Sequence, residues 1–112
     1  MKKSEDQDKI TGLFAQKLRN IFGKNLVTIY WFGSRARGRG RTDSDYDLMV
    51  ETKTELTESQ RDAIADIAVD ITADHGVMLD IHYYTTNDIN NPPFSRSPFV
   101  RSVLEEGVRI CQ

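Results

Sequence analysis

The stretch WFGSRARGRGRTDSDYDLMV, Trp31 to Val50, constrains this chain more than any other part of it. Before it, NLVTIYWF (Asn25 to Phe32) is β-branched and aromatic, is bounded by Gly23 and Gly33, and carries no helical stripe, which predicts a largely buried strand. After the loop, DLMVE (Asp47 to Glu51) predicts a second, short strand. Between the two runs, Arg35, Arg37, Arg39 and Arg41 stand immediately before Asp43, Asp45 and Asp47. A fold built around this segment has to give a purpose to four cations and three anions at one strand–loop–strand junction.

The remaining elements follow from apolar spacing. Ile10, Leu13, Phe14, Leu18, Ile21 and Phe22 draw one stripe down a helix running from Ser4 to Phe22. Thr57 followed by Gln60 matches a capping box, and Ile64, Ile67, Ala68 and Ile71 continue a second helix to Gly76. VMLDIHYYT (Val77 to Thr85) predicts a third strand. NDINNPPFSRSP is turn-rich and reads as a loop with at most one helical turn. Ser97 is a suitable N-cap with Pro98 at the first helical position; Phe99, Val100, Val103 and Leu104 are expected to face inward, and Gly107 ends the helix before VRIC. The order α-β-loop-β-α-β-α, with a terminal strand in VRIC, predicts an α+β fold: a small mixed sheet with helices packed on one face.

At 112 residues the chain is expected to form one domain, spanning 1–112 and burying roughly 60 to 70% of its unfolded surface. Fifteen basic against 17 acidic residues give a net charge of −2, which excludes the overall positive excess of a general nucleic-acid binder. The single cysteine, Cys111, excludes an internal disulfide. The opening MKKSEDQDK lacks the apolar core of a signal peptide, and no apolar run approaches the ~18 residues that span a bilayer. These features predict a cytoplasmic protein with no membrane role.

In a strand, side chains two apart share a face, so Asp45 and Asp47 project together while Tyr46 and Leu48 project oppositely. Two adjacent carboxylates repel, and a hard divalent cation with oxygen ligands, magnesium above all, satisfies both. Asp80 lies in the third strand on the face of Met78 and His82, and reaches the same place if the second and third strands pair. Gly33, lacking Cβ, lets backbone N–H groups approach an anion, and Ser34 adds a hydroxyl donor, as a phosphate-binding turn requires. Arginines grip phosphate oxygens bidentately, and a triphosphate carried in with magnesium can sit beside arginines and aspartates at once.

GSRARGRGRTDSDYDL resembles the motif of the minimal nucleotidyltransferases of the DNA polymerase beta superfamily. Gly33-Ser34, the ten residues Arg35 to Ser44 and Asp45-Tyr46-Asp47 fit that motif, including the inner Ala36-Arg37-Gly38, and Asp80 in MLDIH suits the family's third carboxylate. The resemblance implies the polymerase beta-like nucleotidyltransferase fold and transfer of a nucleotidyl group, commonly AMP from ATP, to a hydroxyl. It implies two magnesium ions held by Asp45, Asp47 and Asp80, with Asp80 also accepting the proton of the attacking hydroxyl. It assigns Gly33, Ser34, Arg35 and Arg37 to the phosphates of ATP. Many short members resemble antitoxins that adenylylate a HEPN-domain toxin encoded alongside them, so a helical HEPN partner is implied for this chain.

Two alternatives come from other classes. An aminoglycoside-type enzyme acting on a small molecule would need an additional helical domain that 112 residues do not provide. A non-catalytic toxin-binding module would be marked by a missing carboxylate, and Asp45, Asp47 and Asp80 are all present. His82 shares Asp80's face and reads as either a structural histidine or an assistant to Asp80. Asp43 and Asp88 read as surface residues, Cys111 as a bystander, and Trp31 and Phe32 as core, with stacking of an aromatic near the loop on a base as the alternative. The acceptor, the preferred nucleotide, self-association into a homo-oligomer and the roles of Arg39 and Arg41 are left open by the sequence.

Overall fold

The computed structural model describes residues 5–33 and 45–110. Ser34, Arg35, Arg37, Arg39, Arg41 and Asp43 lie outside the described residues, as do Ser4 and Cys111. The expected stripe builds helix α1, Glu5–Phe22, which buries Ile10, Phe14, Leu18 and Phe22. Ile21 falls at the stripe's margin and stays 43% exposed. A short 3-10 turn, Gly23–Asn25, leads into strand β1, Leu26–Phe32. Strand β2 is Tyr46–Thr52.

Helix α2, Glu58–His75, begins as its sequence dictates: the Thr57 hydroxyl accepts from the Gln60 N–H at 3.1 Å, and the Gln60 side chain accepts from the Thr57 N–H at 2.9 Å. Two otherwise orphaned helix-end donors are thereby satisfied, a feature whose loss costs about 1 kcal/mol. The helix ends at Gly76, whose φ of 69° is left-handed and whose N–H donates to the Thr72 carbonyl. Strand β3 follows as Leu79–Thr85.

The turn-rich segment, expected as a loop with at most one helical turn, holds more than that: a five-residue helix, α3 (Thr86–Asn90), and a 3-10 turn at Phe94–Arg96. Asp88, expected at the surface, helps to cap the start of α3. Its carboxylate accepts from the Thr85 N–H at 3.0 Å while the Thr85 hydroxyl accepts from the Asp88 N–H. Helix α4, Pro98–Glu106, starts at the Ser97 cap with Pro98 in its first turn. Its inward line is Val100 and Val103, and Leu104, expected on that line, remains 39% exposed because it lies beside the i, i+3 row that meets the sheet. Strand β4, Val108–Ile110, is the terminal strand expected from VRIC.

The four strands make one mixed sheet in the order β3-β2-β1-β4. β1 runs antiparallel to β2 and to β4, while β2 and β3 are parallel and joined through α2, the crossover that parallel pairing demands. α1 and α2 cover one face, where Phe14, Leu18, Ile64 and Ile71 pack against Ile29, Trp31, Tyr46, Leu48 and Val50. The expectation of helices on one face holds for these two long helices. On the opposite face the strand alternation presents Tyr30 and Met49, and a second, smaller cluster forms there with Ile89, Val100 and Val103 from α3 and α4. Within it Glu51 is a buried carboxylate, tolerated because Thr86 Oγ1 donates to it at 2.7 Å and the Tyr30 hydroxyl at 3.3 Å. Among the described residues no helix is long and apolar enough to cross a membrane.

Candidate active site

The site is placed by Tyr46, the residue between the paired aspartates. Its ring is buried and stacks on Trp31 at 5.7 Å between centroids with an 18° interplanar angle, which fixes the strand's facing. Its N–H donates to the Met78 carbonyl at 2.8 Å, leading into the pairing of Tyr46 with Leu79. With Tyr46 turned into the core, Asp47 must emerge on the opposite face. The register then makes Asp47 the cross-strand partner of Phe32 on β1 and of Asp80 on β3. Asp45, immediately before β2, is exposed. The expected β2–β3 pairing therefore exists, and it brings Asp80 to Asp47.

Gly33 closes the same corner. It follows β1 with a left-handed φ of 85°, and a Cβ built on it would run into Asp47 Oδ2. A glycine is required here both for the backbone angle and for the space the Asp47 carboxylate occupies.

The electrostatics agree with the register. Asp47's carboxyl is held above its ordinary value, first by partial burial and then by the negative charges of Asp80 and Asp45; His82 opposes the shift. Its ionised form is thus disfavoured in the folded state, a penalty fully present above the raised folded pKa and absent once pH drops below the unfolded value. Asp47→Asn is expected to raise the melting temperature of the metal-free protein at pH 7, with the gain shrinking to nothing as the pH is lowered through the carboxylate range. Thermal melts in a chelator across pH measure this, and a variant that melts lower than the parent at pH 7 would contradict the crowding of charge.

Among the described residues no group of three or more His, Cys, Asp or Glu side chains is already gathered closely enough to hold a metal ion. The donor chemistry nonetheless fits one: Asp45, Asp47 and Asp80 present only hard carboxylate oxygens at the end of two paired strands, and their mutual repulsion is relieved by a hard divalent cation. His82 stands beside them, with Nε2 3.4 Å from Asp80 Oδ2 and its ring against Phe32 and Phe99. Its position on Asp80's face was the only sequence signal for it. A cleft of about 280 Å³ lined by Thr52, Glu55, Arg61, Tyr83 and Asp88 lies toward the other ends of β2 and β3 and takes no part in this arrangement.

A family model described as Polymerase beta, Nucleotidyltransferase matches residues 16–112. The chain belongs to this nucleotidyltransferase family. Solved structures share the fold at low identity. A toxin–antitoxin determined with AMP-PNP is 19% identical with a TM-score of 0.58, covering 88% of this chain and 70% of that one. A protein described as a minimal nucleotidyltransferase is 24% identical with a TM-score of 0.57, covering 91% of this chain and 89% of its own. A tri-AMPylated Shewanella oneidensis HEPN toxin in complex with its MNT antitoxin is 17% identical with a TM-score of 0.53, covering 93% and 71%. No curated protein sequence matches the chain significantly. The small mixed sheet and its helices are thus those of the minimal nucleotidyltransferases, as the motif implied.

Proposed function

We propose that this chain, as a single minimal nucleotidyltransferase domain over residues 1–112, transfers AMP from ATP to a hydroxyl of a partner protein. The observation that carries the reading is the pairing of Asp47 with Asp80 beside a glycine whose missing Cβ makes room for the Asp47 carboxylate. Asp45, Asp47 and Asp80 would hold two magnesium ions, which when bound neutralise the phosphates and polarise the α-phosphorus for attack. The backbone at Gly33 and the Ser34 hydroxyl bind the terminal phosphates, and Arg35 and Arg37 offset the charge of the departing pyrophosphate. The acceptor oxygen bonds to the α-phosphorus as the bond to the bridging oxygen breaks, pyrophosphate leaves, and the acceptor's proton passes to the Asp80 carboxylate.

The partner is proposed to be a helical HEPN-domain toxin encoded beside this chain, which would make the chain a cytoplasmic antitoxin. Two of the fold relatives are toxin–antitoxin proteins, one of them with an AMPylated HEPN toxin, and both are similar to this chain in fold. Incubated with ATP and magnesium, the chain is expected to add AMP to such a neighbour-encoded protein, seen as a gain of one or more nucleotidyl units by intact mass. Transfer of label to a small-molecule acceptor without any protein would replace this reading, and tight partner binding with no transfer to any acceptor would reduce the chain to a binding module.

A further inference from the structure

Asp80 sits on β3, which has β2 as its only neighbour in the described sheet, and its side chain is 57% exposed. A half-exposed aspartate on such a strand has several staggered rotamers open to it, and backbone pairing alone does not choose among them. The side-chain contact that Asp80 makes comes from its own strand. His82, two residues on and on the same face, puts Nε2 3.4 Å from Asp80 Oδ2.

The imidazole is itself held. Phe99 from α4 packs on it at 4.9 Å between centroids and Phe32 from β1 at 6.1 Å, and these two phenyl rings meet edge to face at 5.4 Å and 78°. Three rings from three separate elements therefore pack together and confine the imidazole beside the carboxylate. An aromatic clamp of this kind limits the histidine's freedom at the one place where a loose carboxylate would blur the site.

We infer that His82 is a positioning residue, clamped by Phe32 and Phe99, whose Nε2–H restrains the rotamers of the Asp80 carboxylate beside Asp47, so that less freedom is lost when Asp80 binds a divalent cation and receives the acceptor's proton. The inference rests on the reading of Asp80 given above. Outer partners that orient a metal-binding group typically change affinity or activity 10- to 100-fold when removed.

Three variants of the full chain separate positioning from packing. His82→Phe retains an aromatic ring for the clamp and removes the donor; His82→Gln returns an amide N–H near the Nε2 position; His82→Asn carries the amide only as far as Nδ1. Manganese(II) binding without nucleotide, read by electron paramagnetic resonance, is expected to weaken about 10-fold in His82→Phe and His82→Asn and to recover to within about 3-fold of parent in His82→Gln. AMP transfer is expected to follow the same order through kcat, with the KM for ATP changed less than about 2-fold. If His82→Phe proves poorly folded by its melting curve, the Asn and Gln pair decides alone, since both lose the ring and differ in the reach of the donor. Parental manganese affinity in all three variants, or Gln no better than Asn, overturns the inference. If the parent transfers no AMP to any protein, the proposed function fails, and the manganese series still upholds or overturns the positioning role.

Discussion

Asp80→Asn is expected to leave ATP binding close to parental while AMP transfer falls roughly 10²-fold or more, the scale associated with removing a general base. The substitution keeps the side chain's size and much of its polar contact, so the β2–β3 pairing that seats Asp80 beside Asp47 has no reason to change. What disappears is one negative charge and the group proposed to take the acceptor's proton. Ser34→Ala and Arg37→Ala act on the other half of the proposed reaction: each removes a proposed phosphate donor, so each should weaken ATP binding as well as slow transfer. Calorimetric ATP affinity and intact-mass AMP transfer on the same three proteins separate the two roles. Near-parental transfer by Asp80→Asn would remove Asp80 from the chemistry and leave Asp45 and Asp47 to carry the site without a third carboxylate.

What could be read from the sequence was local. The Gly33-Ser34 step and the Asp45-x-Asp47 spacing each depend on neighbours a few residues apart, and so do the Thr57–Gln60 cap, the Gly76 stop and the Ser97-Pro98 start, all three of which are present in the structure. That Asp80 joins Asp47 was expected only on the condition that the second and third strands pair, and through the resemblance; the register itself was not legible, because those residues lie on strands separated by a whole helix, and pairing across that distance depends on which side chains the core accepts. Tyr46 decides it by entering the core against Trp31, whereas in sequence it is simply the residue between two aspartates. Glu51 was hidden for a similar reason: a charged residue ending a strand reads as solvent-facing, while its partners Tyr30 and Thr86 lie 21 and 35 positions away. The Thr85–Asp88 box was missed at shorter range, since aspartate stands where the familiar motif has glutamate or glutamine. The second hydrophobic cluster was legible only in part: Val100 and Val103 were expected to face inward from their helix, whereas Ile89 comes from the segment that reads as loop.

Gly33→Ala couples backbone, space and chemistry at a single atom. A methyl group at φ 85° places an L-residue in a left-handed conformation that costs about 1–2 kcal/mol, so the melting temperature should fall by several degrees. The same methyl would meet Asp47 Oδ2, and because a carboxylate can swing about its own bonds, the fold should survive by rotating Asp47 away from Asp80. Displacing a reacting or metal-binding group by about 1 Å is enough to lose ~10²-fold in rate. Transfer is therefore expected to drop far more than the modest loss of stability would suggest. A double-mutant cycle identifies the cause: Asp47→Ala removes the carboxylate the methyl collides with, so Gly33→Ala should destabilise less in the Asp47→Ala background than in the parent, leaving only the backbone strain. Strictly additive stability changes would mean that the two residues do not share that space, and parental transfer by Gly33→Ala would mean that the Asp47 carboxylate is not held at this corner for catalysis.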